Sequence, residues 1–383
     1  MKICIVSDVL DEENNGTTIA AMNLIRTLKS KGHEVKVVCP VTKYHEGENN
    51  FYFVPKWKFP KALQNIIDKN NVVIGKPKKK VFYEAMKDCD VVHVMIPLFI
   101  GPKAARYAKK KLHKPLTVGF HAQAENISSH FVGLMNSKTV NNMIYKHIYK
   151  KTYKYADCIH YPTNFIRNLF EDIVGPTNGY VISNGVQKIF KPTIVERPEE
   201  LKNKKIILFT GRLSLEKSHS VLIKAISKSK YEKDIQLILA GQGPRKDEII
   251  KLSKKLLTNQ PIINFYSREE LVKIINYADL YCHPAEVEIE AISCLEAICS
   301  GLVPVIANSP KCATKEFALD ERSLFEVNNP ESLRDKIDYW FDHPDELSKM
   351  KEVYAKTASK FDFDECMDKM EEMIKDACKL NEE

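Results

Sequence analysis

Apolar residues in this chain fall in short unbroken blocks separated by amphipathic stretches. "KICIVSDV" opens the chain, the polar "LDEENNGTT" follows, and then comes "IAAMNLIRTLKSKGHEV". In that third segment Ile19, Met22, Ile25 and Leu28 recur at helical spacing with Leu24 beside them, and Lys29 to Gly32 supply the stop. "EVKVVCP" is the next block. Strand, helix, strand predicts a βαβ unit and a parallel sheet. "DVVHVMIP", "LTVGFHA", "DCIHYPT" and "YVISNGV" continue the series as buried strands.

A second series begins at "KKIILFTGRL" and carries a helix through "HSVLIKAISKSK". "IQLILAGQGP", "IINFYS", "DLYCHP" and "LVPVIAN" read as its further strands, with helices between them. The break falls at "QKIFKPTIVERPEE", Gln187 to Glu200, which is polar and holds Pro192 and Pro198. The expected organisation is α/β: two Rossmann-like domains, residues 1–185 and 186–362, facing a central cleft. The amphipathic helix expected over 363–380 can pack on either domain. At 383 residues the chain is too long for one ordinary core, which agrees with two domains.

Composition narrows the class. The chain is 44% hydrophobic and 28% charged, a globular balance. Its ten cysteines lie scattered without a C-x-x-C pair, so reduced core thiols are expected and zinc is not. The start "MKICIVSDVL" reads as a strand, not a signal peptide, and no apolar run reaches the roughly 18–20 residues that span a bilayer. A cytoplasmic location is therefore expected. The net charge of +8 is uneven: residues 1–185 hold 27 Lys and Arg against 15 Asp and Glu, and the remainder is mildly acidic. A basic first half suggests an anionic surface or polymer as partner.

Candidate chemistry gathers at strand ends. The first loop holds one glycine, Gly16, so the G-x-G-x-x-G dinucleotide fingerprint is absent and an oxidoreductase is disfavoured. Asn15-Gly16 is either a plain turn or a flexible backbone at a helix N-terminus, which favours anions. "FTGRLSLEKSH" places Arg212 and Lys217 beyond a buried strand, in a loop that is either ordinary solvated surface or suited to a diphosphate. "LAGQGP" sets Gly241 in a tight loop at another strand end. "DCD", Asp88 to Asp90, imitates a metal motif but lies at the wrong edge of its strand.

"EVEIEAISCLEAICSGLVPVIA" carries the sharpest signal. "AISCLEAICS" reads as a helix stopped by Gly301, with Glu288 in the loop before it and Glu296 inside it. A diphosphate at that N-terminus would meet free N–H groups near Ala291, Ile292 and Ser293. A helix-start cluster favoured by the macrodipole accounts for Glu288 and Glu290 but not for Glu296, a carboxylate in an apolar run.

Glu288 to Glu296 resembles the E-x7-E motif of the retaining GT-B glycosyltransferases of family 4. "TGRLSLEK", "VISNGV", "LILAGQGP" and "GHEVKVVCP" resemble further family segments in the family's order. The resemblance implies a nucleotide-diphospho-sugar donor: Glu296 on the ribose hydroxyls, Glu288 on the sugar, and Arg212 and Lys217 on the leaving diphosphate. It also places Gly16, Gly241 and the backbone of Ala291, Ile292 and Ser293 near the donor and His121 at the active site. Glu296 then needs no protein partner, because the ribose arrives with the donor. No metal and no cofactor beyond the donor are expected.

Where the family often has Phe-Gly this chain has Glu290-Ala291, so Glu290 either points outward or changes donor preference. "NNGTTIAAMNLIRTLKSKGHEV" and "HAQAENIS" resemble the diacylglycerol glucosyltransferase branch. "MNSKTVNNMIYKHIYKKTYKY" (135–155) interleaves lysines with Met143, Ile144, Tyr145, Ile148, Tyr149 and Tyr153. It reads either as a helix lying on an anionic membrane or as one packed on its own domain. The implied activity is transfer of a hexose, glucose from UDP-glucose, to a lipid such as diacylglycerol, by a peripheral enzyme at the inner face of the cell membrane. The alternatives are a soluble or polysaccharide acceptor, or a UDP-sugar epimerase. No nucleic acid partner is expected.

Overall fold

In a computed structural model, residues 1–10, 16–60, 73–129 and 137–381 are described. They divide into two compact units, one of residues 1–184 with 366–383 and one of residues 185–365.

The first unit is built on seven parallel strands: β1 (Lys2–Val6), β2 (Glu34–Pro40), β3 (Phe51–Val54), β4 (Val91–Val94), β5 (Leu116–Gly119), β6 (Cys158–Tyr161) and β7 (Gly179–Val181). Their spatial order is β3-β2-β1-β4-β5-β6-β7. The order reverses between β1 and β4, the doubly wound arrangement. Unbroken apolar runs form these strands because a parallel sheet covered by helices has no solvent face. Ile3, Cys4, Ile5 and Val6 are fully buried, as are Val91, Val92 and Val94. The helix Gly16–Ser30 buries Met22, Leu24, Ile25 and Leu28, and the chain turns at Gly32 with φ of 84°.

The second unit repeats the plan with β8 (Lys205–Thr210), β9 (Ile235–Ala240), β10 (Ile262–Asn264), β11 (Leu280–His283), β12 (Val303–Asn308) and β13 (Leu324–Glu326), ordered β10-β9-β8-β11-β12-β13. Its switch point lies between β8 and β11, where Ile207 registers with Leu280 and Leu208 with Tyr281. Phe209, Tyr281, Leu295, Trp340 and Tyr354 lie in one continuous core. The short edge strands β3 and β13 went unread in the sequence.

The last helix, Phe363–Leu380, buries Cys366, Met367, Met370, Met373, Ile374 and Ala377. Within the first unit it is tied down by charge: Glu371 accepts from Lys31 at 2.7 Å and faces His33 Nε2 at 3.1 Å, and Tyr180 donates to Asp376 at 3.2 Å. All ten cysteines are free thiols. No described helix is long and apolar enough to cross a membrane. Asp88 pairs with Lys36 at 2.6 Å and Asp90 accepts from the Lys2 amide at 2.7 Å, so both acids of "DCD" serve the start of the sheet.

Candidate functional site

In an open parallel sheet, the strand ends flanking the switch point form a crevice that no crossover helix fills. In the second unit those ends are Thr210 of β8 and His283 of β11. The loop after β8 holds Arg212 and Lys217; the loop after β11 holds Glu288 and leads into the helix Ile292–Cys299.

The first loop is shaped by backbone contact. Gly211 donates to Ala240 O at 3.0 Å, Leu213 to Gln242 O at 3.0 Å and Arg245 to Leu213 O at 3.0 Å. A Cβ on Gly241 would overlap the Gly211 carbonyl, and one on Gly243 would lie 2.5 Å from the Leu213 oxygen. The glycines of "LAGQGP" therefore let two backbones zip together, which sets the origin of the Arg212 side chain. Beyond Ser214 a 3-10 turn at Leu215–Lys217 ends at Ser218, whose φ is 51°. That turn is fastened to the second loop, where Glu286 N donates to Glu216 O at 2.8 Å.

The second loop is held from its far side as well. Ser309 Oγ donates to Glu286 O at 2.6 Å, Lys311 Nζ reaches Glu286 Oε1 at 2.9 Å, and Ala313 N donates to Glu288 O at 2.9 Å. Glu286, unexplained by the motif, is thus an anchor for the loop that carries Glu288. Lys217 Nζ bonds directly to Glu288 Oε2, and both side chains keep only a sixth of their surface exposed. Burial pulls the Lys217 pKa down, but the facing carboxylates of Glu288 and Glu216 outweigh it, so the ammonium stays charged. Beneath the pair, His283 Nε2 lies 3.8 Å from Glu288 Oε2. Burial, with Lys217 and His219 nearby, keeps the His283 imidazole neutral.

The helix Ile292–Cys299 begins without a side-chain cap. Its N-cap is Ala291 at φ 60° and ψ 69°, the left-handed region that glycine occupies freely. Substituting alanine for the family's common glycine keeps the turn and strains it. Glu290 is buried at 4% exposure, which excludes the outward reading. Ser293 turns its hydroxyl back to Thr210 O at 3.0 Å, so that proton is not offered to a diphosphate.

Glu296 corrects an expectation. It does have a protein partner: Arg268 Nη2 donates to Glu296 Oε1 at 3.0 Å, and the guanidinium stacks over the Phe190 ring at 5.1 Å. Burial raises the Glu296 carboxyl to about 7, with Arg268 working against that rise. Arg268 was missed in the sequence. It stands just past the end of β10, the same strand-end rule that drew attention to Arg212.

The first unit holds the other candidates. Gly16 starts its helix, and among the described residues nothing lies within 4 Å of where a Cβ would stand. Asn15 lies outside the described residues. His121 follows β5 with its ring over Gly119, where a Cβ would come within 2.9 Å of the imidazole. Its Nε2 is buried without a partner among the described residues, and burial beside His160 and His93 keeps it neutral. The helix Lys138–Lys151 buries Asn141, Tyr145 and Ile148 against its own unit, with Tyr145 donating to Glu125 at 2.6 Å. Lys138, Lys146, Lys150, Lys151 and Lys154 remain exposed. Met135 and Asn136 of the lysine-rich stretch lie outside the described residues.

Two family models match in sequence order: "Glycosyltransferase Family 4" over residues 14–188 and "Glycosyl transferases group 1" over residues 190–358. A GDP-mannose-dependent alpha-mannosyltransferase of Corynebacterium glutamicum is 26% identical over 324 residues, 80% of this chain and 72% of the relative. A Campylobacter jejuni N-acetylgalactosaminyltransferase, named for an N-acetylgalactosamine-N,N'-diacetylbacillosaminyl-diphospho-undecaprenol acceptor, is 29% identical over 164 residues, 41% of this chain and 42% of the relative. The crystal structure of Anabaena HepE with UDP and glucose shares the fold at TM-score 0.75 and 15% identity, over 98% of this chain and 100% of that one.

Proposed function

The chain belongs to the group 1 glycosyltransferases of family 4 and is a nucleotide-sugar-dependent glycosyltransferase of GT-B fold, and on that footing we propose that it transfers glucose from UDP-glucose to a membrane lipid such as diacylglycerol with retention of configuration. The observation that carries the donor half is the Lys217–Glu288 pair beside the uncapped helix Ile292–Cys299 at the switch point. A diphosphate at that N-terminus receives unpaired N–H groups and the helix dipole, and Lys217 and Arg212 neutralise the charge that grows as the sugar bond breaks. Glu288, released from Lys217, accepts from the sugar hydroxyls, and Glu296 accepts from the ribose. The leaving phosphate helps to deprotonate the attacking hydroxyl, so the chemistry asks for no separate base or metal.

The exposed lysines of the helix Lys138–Lys151 support the lipid half, since Asn141, Tyr145 and Ile148 are buried on its own unit while Met143 and the lysines stay exposed, a surface suited to anionic headgroups. A GDP-mannose donor is the second reading, favoured by the name of the Corynebacterium relative. The test is a panel of UDP-sugars and GDP-mannose against diacylglycerol in anionic and neutral liposomes, with products read by mass and anomer by NMR. Transfer to diacylglycerol from UDP-glucose supports the proposal. Transfer only to soluble sugars, or interconversion of UDP-sugars without acceptor, refutes it.

A further inference from the structure

Arg268 lies outside the E-x7-E motif and outside both loops of the switch point, yet it bonds one of the motif's two carboxylates. Its backbone is fixed by a capping box: Ser267 Oγ accepts from Glu270 N at 3.2 Å, and Glu270 accepts from Ser267 N at 2.8 Å. Its guanidinium lies over the Phe190 ring, which leaves little freedom to swing. From that seat a single N–H of Arg268 reaches one oxygen of Glu296 at 3.0 Å. The other carboxylate oxygen is left for an incoming hydroxyl.

We propose that Arg268 is a positioning residue for the donor: it holds Glu296 by one oxygen so that the other accepts a hydroxyl of the nucleotide's ribose. The inference rests on the nucleotide-sugar reading above. A carboxylate with 7% of its residue surface exposed has few solvent bonds to hold its orientation. Anchoring one oxygen sets the plane of the other before the donor arrives, so less ordering is lost on binding.

The arrangement also governs charge. The groups facing this carboxylate are Arg268 from the neighbouring helix and the Cys299 thiol on its own helix, which burial and Glu296 push up to about 12 and so leave uncharged. Arg268 is therefore the group that opposes protonation of Glu296. Without it burial acts alone and the carboxyl moves higher still, so the neutral acid, which near pH 7 coexists with the carboxylate in the wild type, comes to dominate. The sign follows: the donor needs the ionised form, so an Arg268 variant should regain affinity as pH rises.

The experiment compares binding of UDP, GDP and their 2′-deoxy forms to the full chain by calorimetry, for wild type, Arg268→Gln and Arg268→Lys. Wild type should favour the ribonucleotide over its 2′-deoxy form. Arg268→Gln should weaken the preferred ribonucleotide by about tenfold to a hundredfold near neutral pH, the loss of one charged hydrogen-bonding unit. Its ribo-to-deoxy preference should collapse towards unity and recover as the pH is raised and Glu296 ionises. Arg268→Lys should fall between the two. A purely structural role would lower stability without moving the ribo-to-deoxy ratio or its pH dependence. Wild-type affinity and ratio in a folded Arg268→Gln protein overturn the proposal. If that variant fails to fold, an unchanged ratio in Arg268→Lys overturns it equally. Wild-type protein that binds neither UDP nor GDP overturns the nucleotide-sugar reading itself, and the role of Arg268 with it.

Discussion

Lys217→Ala is the sharpest perturbation of the proposed chemistry. The Lys217 ammonium bonds to Glu288, and both side chains are mostly shielded from water. A unit charge pair about 4 Å apart is worth about 4 kcal/mol at an effective dielectric of 20. In the proposed reaction that interaction passes from Glu288 to the diphosphate and strengthens as the leaving group gains charge. Removing a preorganised group of this kind typically raises the barrier by about 3–4 kcal/mol, so kcat should fall by about a hundredfold to a thousandfold, with a smaller change in KM. The fold should survive. The variant strands one partly accessible carboxylate, at a cost of about 1–3 kcal/mol, against a domain stability of about 5–15 kcal/mol. The assay is steady-state transfer with the donor varied, beside a thermal melt of the same preparation. If the folded variant keeps kcat within about threefold, a barrier change below about 1 kcal/mol, the diphosphate role of Lys217 is wrong.

Ala291→Gly should stabilise the donor-free protein by about 0.5–1 kcal/mol, because relief of roughly 1–2 kcal/mol of left-handed strain exceeds the added entropy of glycine. Urea unfolding measures it, and a loss of stability would contradict the strain. Gly241→Ala should cost several-fold more than an ordinary surface change, since its Cβ would overlap the Gly211 carbonyl and part the two loop backbones. Calorimetry should show weaker nucleotide binding together with the lower melting point. Reversing Lys146, Lys150, Lys151 and Lys154 to Glu should abolish sedimentation with anionic liposomes, each lost lysine being worth about 1 kcal/mol near the surface. Equal sedimentation of wild type and variant would remove the membrane face.

Two parallel sheets were legible in the sequence because parallel strands, buried on both faces, announce themselves as unbroken apolar runs. The helix Ile292–Cys299 was legible from its periodicity and its Gly301 stop, and Arg212, Lys217 and Glu288 from their place past strand ends. Strand order, by contrast, is a property of the folded sheet, and only the β8–β11 switch brings Lys217 to Glu288 across 71 positions of chain. The same holds for Glu286 with Lys311, and for Arg268 with Glu296, 28 positions apart. Ala291 shows the limit in reverse. Its side chain gives no hint of a positive φ, and the turn is imposed by the loop fastened at Glu286 and Glu288. Local pattern determined which segments are strands and helices, since propensity and burial act within a few residues. Which charge meets which was decided by tertiary packing, because an ion pair depends on distance in space and leaves no periodic trace along the chain.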